Sequence, residues 1–272
     1  MAQSEELVLR RDSVEQRHDT KGSDVRLFAI RTTRAPGIEL ARAVTPPFIW
    51  SELYRRLVVK SIPDADRYKP HYQPWRAKWF VDLYESISPY TVVPIERAWT
   101  VWQMALHASS REGILLEAGV FQGGTARLLR RVAEEQKKEL HLFDSFEGMK
   151  VADDELDRHV SGDFADTSLE GVQKVVGTGD FVHFHKGWIP DTFAGMEQQK
   201  ICFAHIDLDL YQGVLDTLAF VYPRMSAGGV IVCDDYGFAS CPGARKAIEE
   251  FFADKPEKPL ALLTGQAVIH KL

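Results

Sequence analysis

Five carboxylates of this chain stand where carboxylates do chemistry. Asp207 and Asp209 lie in H-I-D-L-D-L-Y (205–211), and Asp234 and Asp235 in C-D-D-Y-G (233–237), each pair closing an apolar run. The fifth, Asp144, closes L-H-L-F-D (140–144). Acids on a solvated face belong on exposed helices, whereas acids behind buried β-branched residues emerge at strand ends. Such ends share one edge of a parallel sheet, the edge where doubly wound folds bind ligands. Carboxylates converging there repel unless they are protonated or neutralised by a cation. Hard oxygen donors suit Mg²⁺, or Mn²⁺ or Ca²⁺, and no Cys/His cluster is visible that would favour zinc. Period-two alternation puts His205, Asp207 and Asp209 on one face, with the strand ending near Asp207. Asp207, Asp234 and Asp235 are the expected metal ligands. Asp209 is left to order the loop or to cap a helix beginning near Gln212. Helix caps and turn acids are the competing reading of the same residues. His205, like His183 and His185, reads as a packed strand residue rather than a base.

A glycine turn follows another apolar run, in E-A-G-V-F-Q-G-G-T (117–125). Gly119 permits a sharp exit from a strand, and Gly123 and Gly124 let a ligand approach the backbone where a helix begins. A dinucleotide fingerprint needs a glycine where this chain has Phe121, whose ring would fill the pyrophosphate's space. That argues against NAD and FAD. An acid closing the next strand, Asp144, can accept both hydroxyls of a ribose. A nucleoside cofactor without a phosphate cradle fits both features, and S-adenosylmethionine is the fitting candidate.

These positions require a regular scaffold. Short apolar runs recur at 114–119, 140–144, 181–185, 201–207, 229–235, 260–263 and 267–270, with helical patterns over 124–136, 213–225 and 243–253. Alternating strands and helices predict an α/β fold, a mostly parallel sheet with helices on both faces. Only Thr264, Gly265 and Gln266 join the last two runs, too short a link for a crossover, so the sheet ends in an antiparallel hairpin. The segment 145–180 reads as a long loop covering the site, ending at a helix that opens on Thr167-Ser168-Leu169-Glu170 as a capping box. Residues 1–35, charged and poor in large apolar side chains, read as a mobile arm. Residues 36–108 read as a helical, aromatic cap, with helices over 47–60 and 94–108, and residues 109–272 as the catalytic domain. The aromatics from Pro63 to Tyr90 suit a substrate lid or packing against a partner subunit equally.

The whole-chain chemistry excludes several classes. With 272 residues, 33 Lys and Arg against 39 Asp and Glu, and a formal charge of −6, the chain has no basic excess for nucleic acid. The three cysteines, Cys202, Cys233 and Cys241, lack metal spacing and read as buried thiols of a reducing compartment. The absence of an apolar leader or of 18 successive apolar residues predicts a soluble cytoplasmic protein.

The motifs at 117–124, 143–149 (F-D-S-F-E-G-M), 186–192 (K-G-W-I-P-D-T), 205–211 and 233–237 together resemble the macrocin O-methyltransferase family, in order and in spacing, over about residues 88–270. The segment Y-T-V-V (90–93) with Glu96 and Arg97 resembles that family's lead-in to the cofactor site. The resemblance implies a class I methyltransferase with a Rossmann-like sheet, using S-adenosylmethionine and Mg²⁺. It implies that Glu117, Gly119 and Gly123 line the methionine and ribose portion of the cofactor, that Thr91 and Val120 also bind the cofactor, and that Asp144 holds the ribose. Ser145 and Phe146 would flank the adenosine, with Lys186, Gly187 and Trp188 near the adenine edge. Asp207 would be both metal ligand and base. Tyr211 and Tyr236 are the expected acceptor contacts. The implied acceptor is a sugar hydroxyl of a glycosylated natural product, and the implied assembly a homodimer or larger. A catechol or other vicinal diol is the nearest alternative acceptor, since the same metal logic applies. An NAD-dependent oxidoreductase is the disfavoured alternative from another class.

Overall fold

Runs of apolar residues with no polar alternation become strands covered on both faces. Strand β1 (Ile114–Ala118) is buried at all five positions and β4 (Ile201–Ile206) at all six. With β2 (Leu140–Asp144), β3 (Val182–Lys186), β5 (Met225–Cys233), β6 (Leu260–Ala261) and β7 (Ala267–His270) they form one sheet in the order β3-β2-β1-β4-β5-β7-β6. The first five pair in parallel, and β7 runs antiparallel to both β5 and β6. The expected α/β sheet and its closing hairpin are therefore present, although the hairpin's first strand shrinks to two residues. Strand order reverses between β1 and β4, which opens a crevice beyond their carboxyl ends. The computed structural model describes residues 72–150 and 156–272 and, before them, only Ile49. The expected arm over 1–35 and the helix expected over 47–60 fall outside the described residues, Ile49 apart.

Five of the helices that cover the sheet or join its strands follow amphipathic patterns in the sequence, and another precedes them. They are α1 (Lys78–Glu85), α2 (Ile95–Ala108), α3 (Gly124–Gln136), α4 (Leu169–Val176), α5 (Tyr211–Val221) and α6 (Pro242–Phe251). Alternation along β1 sorts the two faces: Leu115 packs with α2, α3 and α4, and Leu116 and Ala118 with α5 and α6. The helix expected over 213–225 ends early because Pro223 breaks it; a 3-10 turn over Tyr222–Arg224 leads straight into β5. Phe80 of α1 is fully buried and meets Trp99 of α2 edge-on at 4.7 Å. Part of the aromatic segment thus packs within the chain's own core. Among the described residues, no helix is long and apolar enough to cross a membrane.

Candidate active site

The site grows from two neighbouring strand ends. After β1, Gly119 adopts φ 89°, and a Cβ there would collide with the carbonyl oxygen of Asp207. Only glycine lets the two chains pass so closely. The amide of Asp207 then donates to the Ala118 carbonyl at 2.9 Å, holding the end of β4 against the turn. Asp144 organises the turn from the next strand. Its Oδ2 accepts the amides of Val120 (2.7 Å) and Phe121 (3.0 Å), and its Oδ1 accepts the amide of Phe146 at 2.7 Å. Phe121 and Phe146 have φ of 51° and 56°. That left-handed conformation is costly for a bulky side chain and needs such fixed donors and acceptors to hold it. The Thr167 hydroxyl donates to the Phe121 carbonyl.

A cavity of about 570 Å³ lies beyond these ends. Of the residues expected to bind cofactor, Thr91, Gly119, Val120 and Asp144 line it, and so do Ser145, Gly187 and Trp188. Asp207, Asp209 and Asp235 line the same space. Asp209 adopts φ 60°, and its amide donates to Asp235 Oδ2 at 3.0 Å. Burial drives the Asp207 carboxyl up to about 6, with Asp209 adding to the rise and His205 and Arg97 opposing it. Burial, then the negative charges of Asp207 and Asp209, push Asp235 well above the usual carboxylate range. Carboxylates under this mutual repulsion have the donor chemistry of a hard divalent cation.

Asp234 takes a different direction from Asp235. It is fully buried and does not line the cavity; the Arg97 guanidinium pairs with its Oδ2, and Gln266 Nε2 donates to its Oδ1 at 2.6 Å. His205 Nε2 lies 3.3 Å from the same Oδ1, and His205 Nδ1 lies 2.8 Å from Glu117 Oε1. Glu117, His205 and Asp234 thus form a polar chain beneath the site, which Arg97 joins to the cavity it lines. An oxygen of Asp234 still comes within 4.8 Å of one from Asp207. His205 is fully buried inside this chain.

Other expected residues sit apart from the cavity. Gly123 closes the glycine turn and caps α3 at φ 92°. Phe146 is in the core, and Lys186 pairs with Glu147 at 3.2 Å. Tyr211 and Tyr236 do not reach it either. Their hydroxyls donate to Glu250 (2.7 Å) and Glu249 (3.2 Å) of α6, which draws both rings to that helix. Phe121, Phe164 and Phe238 supply aromatic lining instead. The long loop does cover the site, through Gly148, Met149, His159 and Phe164. Its closing helix has a simpler cap than expected. Ser168 accepts the amide of Gly171, and because the third residue on is that glycine no reciprocal carboxylate completes a box.

Two residues, His159 and Gln266, had no role from sequence, and a third, Arg97, entered only as part of the lead-in to the cofactor site. His159 Nδ1 lies 3.1 Å from Asp163 and its Nε2 3.6 Å from Asp209; it sits in a loop with no periodicity to mark it. Gln266 belongs to the hairpin link, where polar residues are ordinary. Arg97 carried the one available signal, a positive charge close to the apolar stripe of α2. All three cysteines are buried and free, and Cys241 donates to Asp209 Oδ1 at 3.1 Å.

Among characterised proteins, the chain is similar to mycinamicin III 3''-O-methyltransferase of Micromonospora griseorubida, with 30% identity over 55% of this chain and 65% of the relative. It is equally similar, at 30%, to demethyldecarbamoylnovobiocin O-methyltransferase of Streptomyces niveus, over 52% of this chain and 58% of the relative. A rhamnosyl-tetracenomycin-C 4'-O-methyltransferase of Streptomyces olivaceus matches at 30% over 51% and 58%. The chain thus spans about three fifths of the length of these relatives. Its fold is that of the O-methyltransferase NovP (TM-score 0.59, 24% identity, 67% of this chain and 82% of that one). The calicheamicin methyltransferase CalS11 shares it too (TM-score 0.57, 16% identity, 74% and 98%). The family model for macrocin-O-methyltransferase matches residues 95–271, which contain all the strands and the carboxylate cluster, and the chain belongs to that family.

Proposed function

We propose that this protein transfers the methyl group of S-adenosylmethionine to a sugar hydroxyl of a glycosylated natural product, with Mg²⁺ at the carboxylates. One observation carries the reading: a single cavity joins the glycine turn pinned by Asp144 to Asp207 and Asp235. The first half suits an adenosine-bearing cofactor, and the second a polar acceptor. The names of the three relatives support methylation of natural products, and one of those names specifies a rhamnosyl substrate.

In this proposal Asp207 and Asp235 hold the cation, with Asp209 beside them, and Asp234 joins them only if an oxygen turns from Arg97 toward Asp207. When bound, a hard divalent cation supplies a fixed positive charge that acidifies a neighbouring hydroxyl. Asp207, at the carboxylate end of the cavity, is the residue placed to take the acceptor's proton. The glycine turn and Asp144 would hold the donor in the same cavity as the carboxylates, bringing donor and acceptor together. Phe121, Phe164 and Phe238 exclude water, which favours an attack in which an alkoxide and a sulfonium neutralise each other. Phe121 stands in the glycine turn where an NAD site needs a glycine, so hydride transfer is disfavoured.

Calorimetry separates these readings. S-adenosylmethionine is expected to bind and NAD not to bind, and the reverse would overturn the methyltransferase assignment. Asp207→Asn and Asp235→Asn are expected to lower methyl transfer by about a hundredfold or more while changing cofactor affinity only severalfold. Full turnover by both variants, insensitive to EDTA, would remove the metal from the proposal.

A further inference from the structure

A second cluster of donors lies at the opposite end of the sheet. Glu139 immediately precedes β2, and His141 within β2 pairs in register with His183 of the edge strand β3. The two imidazoles stack with centroids 4.4 Å apart. His141 Nε2 lies 3.3 Å from Glu139 Oε2, and His183 Nε2 lies 3.8 Å from the same oxygen. His183 Nε2 is buried and has no hydrogen-bond partner. One donor atom from each of the three residues falls within 4.8 Å of the others. None of the three lines the cavity of the candidate active site.

The arrangement calls for a positive centre. A buried ring nitrogen without a partner, as His183 Nε2 is, is costly, and together with His141 Nε2 it faces one carboxylate oxygen as ligands face a cation. We propose that Glu139 Oε2, His141 Nε2 and His183 Nε2 form a binding site for a borderline divalent cation, Zn²⁺ in the first place, that clips β3 to β2. Two imidazoles and one carboxylate are a zinc donor set, whereas Mg²⁺ prefers oxygen alone. The orientation of His141 is prepared from behind: its Nδ1 lies 3.0 Å from His185 Nε2, so a proton on Nδ1 donates to that acceptor and leaves Nε2 free to ligate. The His183 ring is 38% exposed and the Glu139 side chain 55%, so the cluster lies at the surface although His183 Nε2 itself is covered. The connection from β3 to β4 carries only the 3-10 turn Asp191–Phe193. A clip at an edge strand therefore secures an element that has little helical cover of its own.

Titration of tag-free, EDTA-stripped protein with ZnCl₂, in millimolar Mg²⁺ to occupy oxygen-only sites, tests this directly. One Zn²⁺ per chain is expected, weakened roughly tenfold or more by His183→Ala and by Glu139→Gln, and unchanged in Asp207→Asn. Zn²⁺ should raise the unfolding temperature of the parent protein and of Asp207→Asn, but not of His183→Ala. Both surface variants should keep the parent's circular dichroism, which separates loss of a ligand from loss of the fold. Parent protein that binds no Zn²⁺, or variants that bind it undiminished, would overturn the site. A thiolate charge-transfer band on Co²⁺ substitution would overturn it too, by placing the cation at Cys241. None of these outcomes depends on the methyl-transfer reading.

Discussion

Asp207 is held in a state the fold itself opposes. Its carboxyl is raised to about 6 by burial, against 3.8 in an unfolded chain. The native state therefore binds the proton more tightly than the unfolded state between those values, and stability falls as pH rises through that window. Above it the ionised side chain costs roughly 1–3 kcal/mol in protein without a bound cation. Asp207→Asn should accordingly raise the melting temperature in EDTA at pH 8 and change it little at about pH 3, below both values, where the carboxyl is largely protonated in both states. Thermal unfolding of the pair at the two pH values checks this. Equal melting temperatures at pH 8 would mean that the negative charge is already compensated within the protein. The same substitution should abolish turnover, the exchange of stability for activity expected where like charges are gathered for chemistry.

At the scale of elements, the strand ends and the glycine turn depend on one another. Gly119 and Gly162 both have positive φ, at 89° and 99°, but their surroundings differ. A Cβ on Gly119 would meet the backbone of Asp207, which cannot move without breaking β1 from β4, whereas among the described residues nothing lies within 4 Å of one on Gly162. Gly162→Ala should cost only the left-handed backbone term, about 1 kcal/mol. Gly119→Ala should cost about 3 kcal/mol or more, with weakened cofactor binding, as denaturant titration and calorimetry would show. Elements of this kind were legible in advance because strict apolar runs and glycines have few readings. Side-chain directions were not. Asp234 and Asp235 are adjacent and chemically identical, yet one turns to Arg97 and the other to the cavity, since successive residues leaving a strand face opposite ways. Tyr211 and Tyr236 were drawn to α6 by Glu250 and Glu249, partners some 39 and 13 residues away that no local pattern reveals. His141 and His183 are similarly distant in sequence, and only the register of β2 with β3 makes them neighbours.

For the folded unit from residue 71 onward, Arg97 is the point where the layers meet. It projects from α2, pairs with Asp234 at the end of β5, and stands over the Phe238 ring at 4.5 Å. Its own carbonyl accepts from Gln266 Nε2 (3.3 Å), in the turn between β6 and β7. The guanidinium is 12% exposed and the carboxylate not at all, so each depends on the other for charge compensation. Removing one member of such a pair typically costs about 3–5 kcal/mol, because a buried charge is left alone. Arg97→Ala should lose stability on that scale, while Arg97→Ala combined with Asp234→Asn should recover part of it. A cation at Asp207, Asp234 and Asp235 would supply the positive charge the variant lacks. Mg²⁺ should therefore raise the melting temperature of Arg97→Ala more than that of the parent protein. Equal Mg²⁺ responses would separate Asp234 from the metal site, leaving it as the residue that locks α2, β5 and the closing hairpin together.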